Sequence, residues 1–174
     1  MIAITNHHNC FYVAVARLTP MHHPVIALWA TRVALLVFVL ELGGSLYERL
    51  VLDAAWPVNP ALIQPAQGGV DRKVFWMPLH GIATVALPLA LWAAWADPVA
   101  RRWLLVAVAT YVAMRAWTFA YFIPNVQRFE RATSVDLAEA RAWVRWSLLR
   151  APLLLATTYA TWRSAYYLAG RPLA

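Results

Sequence analysis

Glu41 and Glu48 stand seven residues apart in Leu36-Val37-Phe38-Val39-Leu40-Glu41-Leu42-Gly43-Gly44-Ser45-Leu46-Tyr47-Glu48, the first strongly apolar stretch of the chain. Seven residues is two helical turns, so a helix here turns both carboxylates to one face. A carboxylate in a membrane helix costs about 3 kcal/mol unless it is paired, which makes such residues functional candidates. Three further ionisable residues lie in the other apolar stretches: His80, Arg115 and Arg150. Carboxylates, one imidazole and guanidinium groups within apolar walls suit proton abstraction from a lipophilic acid. A carboxylate or the histidine is the base, and arginine stabilises the enolate or phenolate that develops. Tyr47 and Asn125 add hydrogen-bonding groups near the rim, and Trp76, Trp117 and Trp143 can supply aromatic walls.

Four segments must position these groups. They run from about Val25 to Tyr47, Val74 to Ala96, Trp103 to Ile123 and Val144 to Ala169. Each is long enough to cross a bilayer, and their continuous rather than alternating apolar runs predict helices, not a barrel. The expected fold is an all-α, integral membrane four-helix bundle with both termini on one side. It occupies residues 25–170, with a tail at 1–24 and another at 171–174.

Composition agrees. The chain has 174 residues, 62% of them hydrophobic and only 13% charged, about half the charged share of a soluble domain. A net charge of +7 is spread over loops and helix ends without a basic stripe, so it points to anionic lipid rather than nucleic acid. Cys10 is the single cysteine, which excludes an intrachain disulfide. His7, His8, Cys10, His22 and His23 are metal-capable types whose spacing fits no recognised site, and Met21 is an alternative start. The first twenty residues lack the pattern of a signal peptide. Lys and Arg are nearly balanced between the two sides. The longer, acid-containing loops favour termini in the cytoplasm and an inner-membrane location.

Depth counting at about 1.5 Å per residue brings one ionisable group per helix into the same half of the bilayer. Measured from the side of the long loops, Glu41 lies ~12 Å deep, His80 ~9 Å, Arg115 ~13 Å and Arg150 ~9 Å, with Glu48 at the edge. Matching depth pairs Glu41 with Arg115. Pro88 and Pro152 predict kinks, and Ser134 is the expected cap of a fourth helix that begins outside the membrane near Val135. Two carboxylates and His80 form a facial metal triad in principle, but the neighbouring arginines oppose a cation. Haem held by two histidines is excluded within the spans, so no cofactor is expected.

Three motifs carry a family resemblance. They are Gly43-Gly44-Ser45-Leu46-Tyr47-Glu48 followed by Trp56-Pro57, Ile123-Pro124-Asn125 at the end of the third helix, and Trp143 with Arg150 seven residues on. In order and spacing these resemble the anthrone oxygenase-like family of small four-helix membrane proteins, over roughly Val25 to Gly170. The family often has a histidine four residues after the tryptophan; here that position is Ser147, and His80 is the available imidazole. The resemblance implies oxidation of anthrones to anthraquinones without bound metal or flavin.

Two other readings stand beside a cofactor-independent oxidoreductase acting on an aromatic or quinone-like molecule. One is a non-catalytic carrier or transporter subunit. The other is an accessory subunit of a membrane complex. A homo-oligomer or a membrane-complex partner fits each.

Overall fold

A computed structural model describes residues 23–171, and every regular element among them is helical. His7, His8, Cys10, Met21 and His22 of the N-terminal tail fall outside the described residues, as do residues 172–174. Among the described residues six α-helices of nine residues or more follow in order: α1 (Pro24–Tyr47), α2 (Lys73–Ala93), α3 (Pro98–Trp117), α4 (Ile123–Arg131), α5 (Leu137–Leu148) and α6 (Arg150–Ala169). Proline at the first turn starts α1 and α3, where the missing N–H has no intrahelical partner to lose. Asp97 caps α3 and Asp136 caps α5 through side-chain oxygens that accept from backbone N–H groups.

α1, α2, α3 and α6 form the bundle. α1 packs on α2 and α6, and α6 packs on α3, while α2 and α3 meet less extensively. The seams are built from small residues. Ala27, Ala34, Ala83, Ala90, Ala93, Ala100 and Ala107 are all fully buried, which lets the backbones approach closely. Larger apolar side chains such as Leu36, Val85, Leu89, Trp92, Val112 and Leu155 point outward, as a lipid-facing surface requires.

Three stretches are long and apolar enough to cross a membrane: Pro24–Ala55, Lys73–Ala93 and Pro98–Arg131. The expected fourth span is the exception in composition. α6 carries Thr157, Thr161 and Ser164, all with no exposed surface, and the two threonines donate to carbonyls one turn back. Thr157 also bonds Thr110 of α3 at 2.8 Å. The fourth helix is therefore polar along the seam it buries and apolar outside.

The expected helix cap is corrected, and the prolines act differently in different helices. Ser134 does not cap the fourth helical segment; Asp136 does. That segment is broken at Leu149, three residues before Pro152, where the proline removes an N–H and crowds the preceding turn. α2 continues through both Pro78 and Pro88. α1 and α3 each run on through a π turn, Glu48–Leu52 and Thr118–Phe122, in which the Asp53 and Ile123 N–H groups bond five residues back. Pro124 lacks the N–H that an α-helix would aim at Ala120, so it favours rearranged bonding in the second of these.

The connection from Val58 to Arg72 is ordered by its own packing. Gly69 lies so close to Ala61 and Gln64 that a Cβ would come within 2.2 Å of the Ala61 carbonyl oxygen. Buried Gln64 donates to the carbonyls of Phe129 and Ala132, both at 2.9 Å, which ties this loop to the end of α4. Trp56, Ile63, Phe122, Phe129, Ala140 and Trp143 form a second core there, separate from the core of the bundle.

Candidate functional site

Glu41 is fully buried on α1 and meets His80 of α2, with Oε1 2.8 Å from Nδ1. The two atoms approach closely, but neither Glu41 oxygen nor His80 Nδ1 has a partner in hydrogen-bonding geometry, so the contact is one of charge and proximity. The imidazole side chain keeps 20% of its surface exposed against 1% for Glu41. His80 is thus the member of the pair that a ligand reaches, and Glu41 orients it from behind.

The second glutamate faces the same helix. Glu48 accepts from the indole N–H of Trp76 at 2.7 Å, and the Trp76 ring stacks on His80 with centroids 5.5 Å apart. Trp76 and His80 are four residues apart on α2, one turn, so both glutamates of α1 are read by one face of α2. The His80 carbonyl accepts from Tyr111 of α3 at 3.3 Å, and the Thr84 and Tyr111 hydroxyls lie 3.2 Å apart. This places α3 against the pair.

The Glu41–Arg115 pairing is overturned. Arg115 instead lies over the Phe119 ring, 4.6 Å from its centroid. Its charge still reaches Tyr111, which also feels Glu41. Depth counting gives height but not direction around the helix axis, and His80 and Arg115 lie at similar heights. Arg150 does not join the pair either: it lies 4.1 Å over the Phe122 ring. Asn125 donates to Tyr121 on its own helix and accepts from Arg128. Tyr47 is 59% exposed. Trp117 packs on Phe122 and Trp146, and Trp143 on Trp56 and Phe122, so both belong to the second core.

A second polar group sits at the loop end, one π turn beyond Tyr47. Arg49 contacts Asp53 at 3.2 Å and donates to the Val144 carbonyl and to the buried Ser147 hydroxyl, at 2.9 and 2.7 Å. Asp53 also accepts from Trp56 at 3.1 Å. Arg72, 8% exposed, lies over the Trp143 ring. Composition alone misses Asp53, Arg72 and Gln64, because they sit in a segment that reads as an open proline-rich loop. The Gly68-Gly69 pair and the buried Trp56 were the available signals.

A shallow, open apolar groove of about 670 Å³ runs between α1 and α2, lined by Trp29, Val33, Ile82, Val85 and Leu89 among others. It reaches Gly81, the chain neighbour of His80, where an added Cβ would meet nothing within 4 Å. Among the described residues no three His, Cys, Asp or Glu side chains converge as metal ligands: Glu48 turns to Trp76 and leaves Glu41 and His80 as a pair. Comparison of the chain with protein-family models, with curated proteins and with solved structures gives no match.

Proposed function

We propose that this is an integral membrane protein that binds a lipophilic aromatic or quinone-like molecule beside the Glu41–His80 pair and oxidises it. The buried carboxylate–imidazole contact carries the reading: a fully buried glutamate orients a partly reachable histidine. Glu41 faces Nδ1 and leaves Nε2 free to accept a proton from the substrate. The apolar groove beside Gly81 supplies a route from the lipid side. Arg115, through space, opposes the charge that develops on an enolate or phenolate.

The resemblance to the anthrone oxygenase-like family supplies the reaction. An anthrone methylene gives its first proton to His80, and the resulting carbanion, stabilised as an enolate, is oxidised by dioxygen. Two hydrogens leave the carbon, one oxygen atom becomes the carbonyl and the other leaves as water. Ser147, the position of the family's frequent histidine, is buried and held by Arg49, so the imidazole role falls to His80. The inner membrane of a bacterium, with termini in the cytoplasm, is the proposed setting.

The test is turnover of an anthrone under air by the purified full chain, followed by the absorbance of the anthraquinone. Glu41→Gln and His80→Ala lose turnover while helix content is kept. Full activity in Glu41→Gln sinks the assignment of the pair. Saturable binding without turnover in the unmodified protein favours the carrier reading instead.

A further inference from the structure

The loop end of the bundle holds more positive charge than it pairs. Arg150 lies within reach of the charges of Glu48, Arg49, Asp53 and Arg72, and Asp53 within reach of those of Arg49 and Arg72. Three of the five are spoken for. Arg49 and Asp53 pair with each other, Asp53 also takes the Trp56 N–H, and Glu48 takes the Trp76 N–H. Arg72 and Arg150 are left. Three guanidinium groups face two carboxylates, an excess of one positive charge.

Both remaining arginines are stacked rather than paired. Arg72 lies 5.5 Å over Trp143 and Arg150 lies 4.1 Å over Phe122, and those two rings touch at 5.6 Å. Stacking fixes the plane of a guanidinium and leaves its N–H edge free to bind. Nη2 of Arg72 and Nε of Arg150 are buried and have no hydrogen-bonding partner. Arg72 as a whole is more than nine-tenths buried. A water molecule can satisfy a buried donor but cannot neutralise the surplus charge.

We propose that Arg72 and Arg150 form a binding site for a monoanionic oxyanion, met at the guanidinium edges that the buried Trp143 and Phe122 rings support from behind. The shared chemistry is a singly charged oxygen acid met by two guanidinium edges. A lipid phosphodiester and a soluble aromatic carboxylate are its two sources. The site uses neither Glu41 nor His80, so it stands whether or not that pair is catalytic. The loop that carries Arg72 is fastened by Gln64 and Gly69, which gives the site a fixed wall.

Titration of the full chain in neutral detergent, with benzoate and with inorganic phosphate as probes, tests the site by tryptophan emission, since Trp143 lies under Arg72. Nanodiscs of phosphatidylcholine with and without phosphatidylglycerol form the lipid arm, read as thermal stabilisation. A saturable response to benzoate identifies a soluble carboxylate, and stabilisation confined to phosphatidylglycerol discs identifies a lipid headgroup. Either response weakens about tenfold or more in Arg72→Gln and in Arg150→Gln. Arg72→Lys keeps the charge but loses the fork, and serves where Arg72→Gln does not fold; there too the affinity falls. Unchanged affinity in all of these variants overturns the proposal. So does a response that chloride reproduces at equal ionic strength, or the lack of a saturable response to every probe.

Discussion

The contact between Glu41 and His80 was half legible in the chain. An intramembrane glutamate demands a partner, and the depth of about 12 Å limited the choice to side chains at similar height. Direction around each helix axis decided between His80 and Arg115. That direction depends on how small residues such as Ala34 and Ala83 seat α1 against α2, which the sequence does not state. The arrangement predicts distinct consequences for neighbouring substitutions. Trp76→Phe keeps a ring on His80 but removes the donor to Glu48, so Glu48 loses a bond and His80 keeps its stack. The expected loss of stability is about 1–3 kcal/mol, measured by denaturant unfolding in detergent. A change as small as that of an exposed substitution, such as Val85→Ala, would show that the Trp76–Glu48 bond contributes nothing.

Elements show the same division between what pattern gives and what packing gives. α1, α2 and α3 follow from long apolar runs and prolines at their starts. The break at Leu149 follows from Pro152, yet Pro88 leaves α2 continuous, so proline alone does not foretell where a helix parts. The ordered loop was the least legible element, because its stability comes from Gln64 reaching residues 65 and 68 positions away in the chain. Gln64→Ala leaves the Phe129 and Ala132 carbonyls without that donor and is expected to cost about 1–3 kcal/mol. Gly69→Ala drives a methyl into backbone at Ala61 and Gln64, where no side chain can yield, and is expected to cost about as much. Thermal unfolding checks both, and Gly68→Ala is not a fair control because Gly68 has a φ of 82°. Wild-type stability in Gly69→Ala would mean that the Ala61 carbonyl is not where the structure puts it.

The whole molecule is a bundle of four helices with the Arg49–Asp53 pair and the stacked Arg72 and Arg150 at its loop end. The opposite end is tied by the Asp97 cap and the 2.8 Å contact between Asp97 and Arg171. Both chain ends of the bundle and the α2–α3 hairpin therefore share one end, with the Gln64 loop at the other. In a Cys10→Ser background, single cysteines at Val58 and at Val99, both exposed, are expected to label from opposite sides of a sealed vesicle. Labelling of both from one side would end the transmembrane reading. Along the bundle, Thr157→Val removes a hydroxyl shared between α6 and α3 and is expected to cost about 0.6–2 kcal/mol in detergent unfolding. The two π turns, one in α1 and one in α3, give the loop end a freedom of its own. Such a turn is an α-helix with one residue added, and each residue advances the helix by about 100°. Removal of one residue from Glu48–Leu52 would rotate Trp56 away from the second core, while Glu41 and His80 stayed in register. Homologous chains one residue shorter at this point are therefore expected to keep the buried pair and to have lost the Trp56 anchor of the loop. A single codon would re-aim the loop end and leave the middle of the bundle as it is.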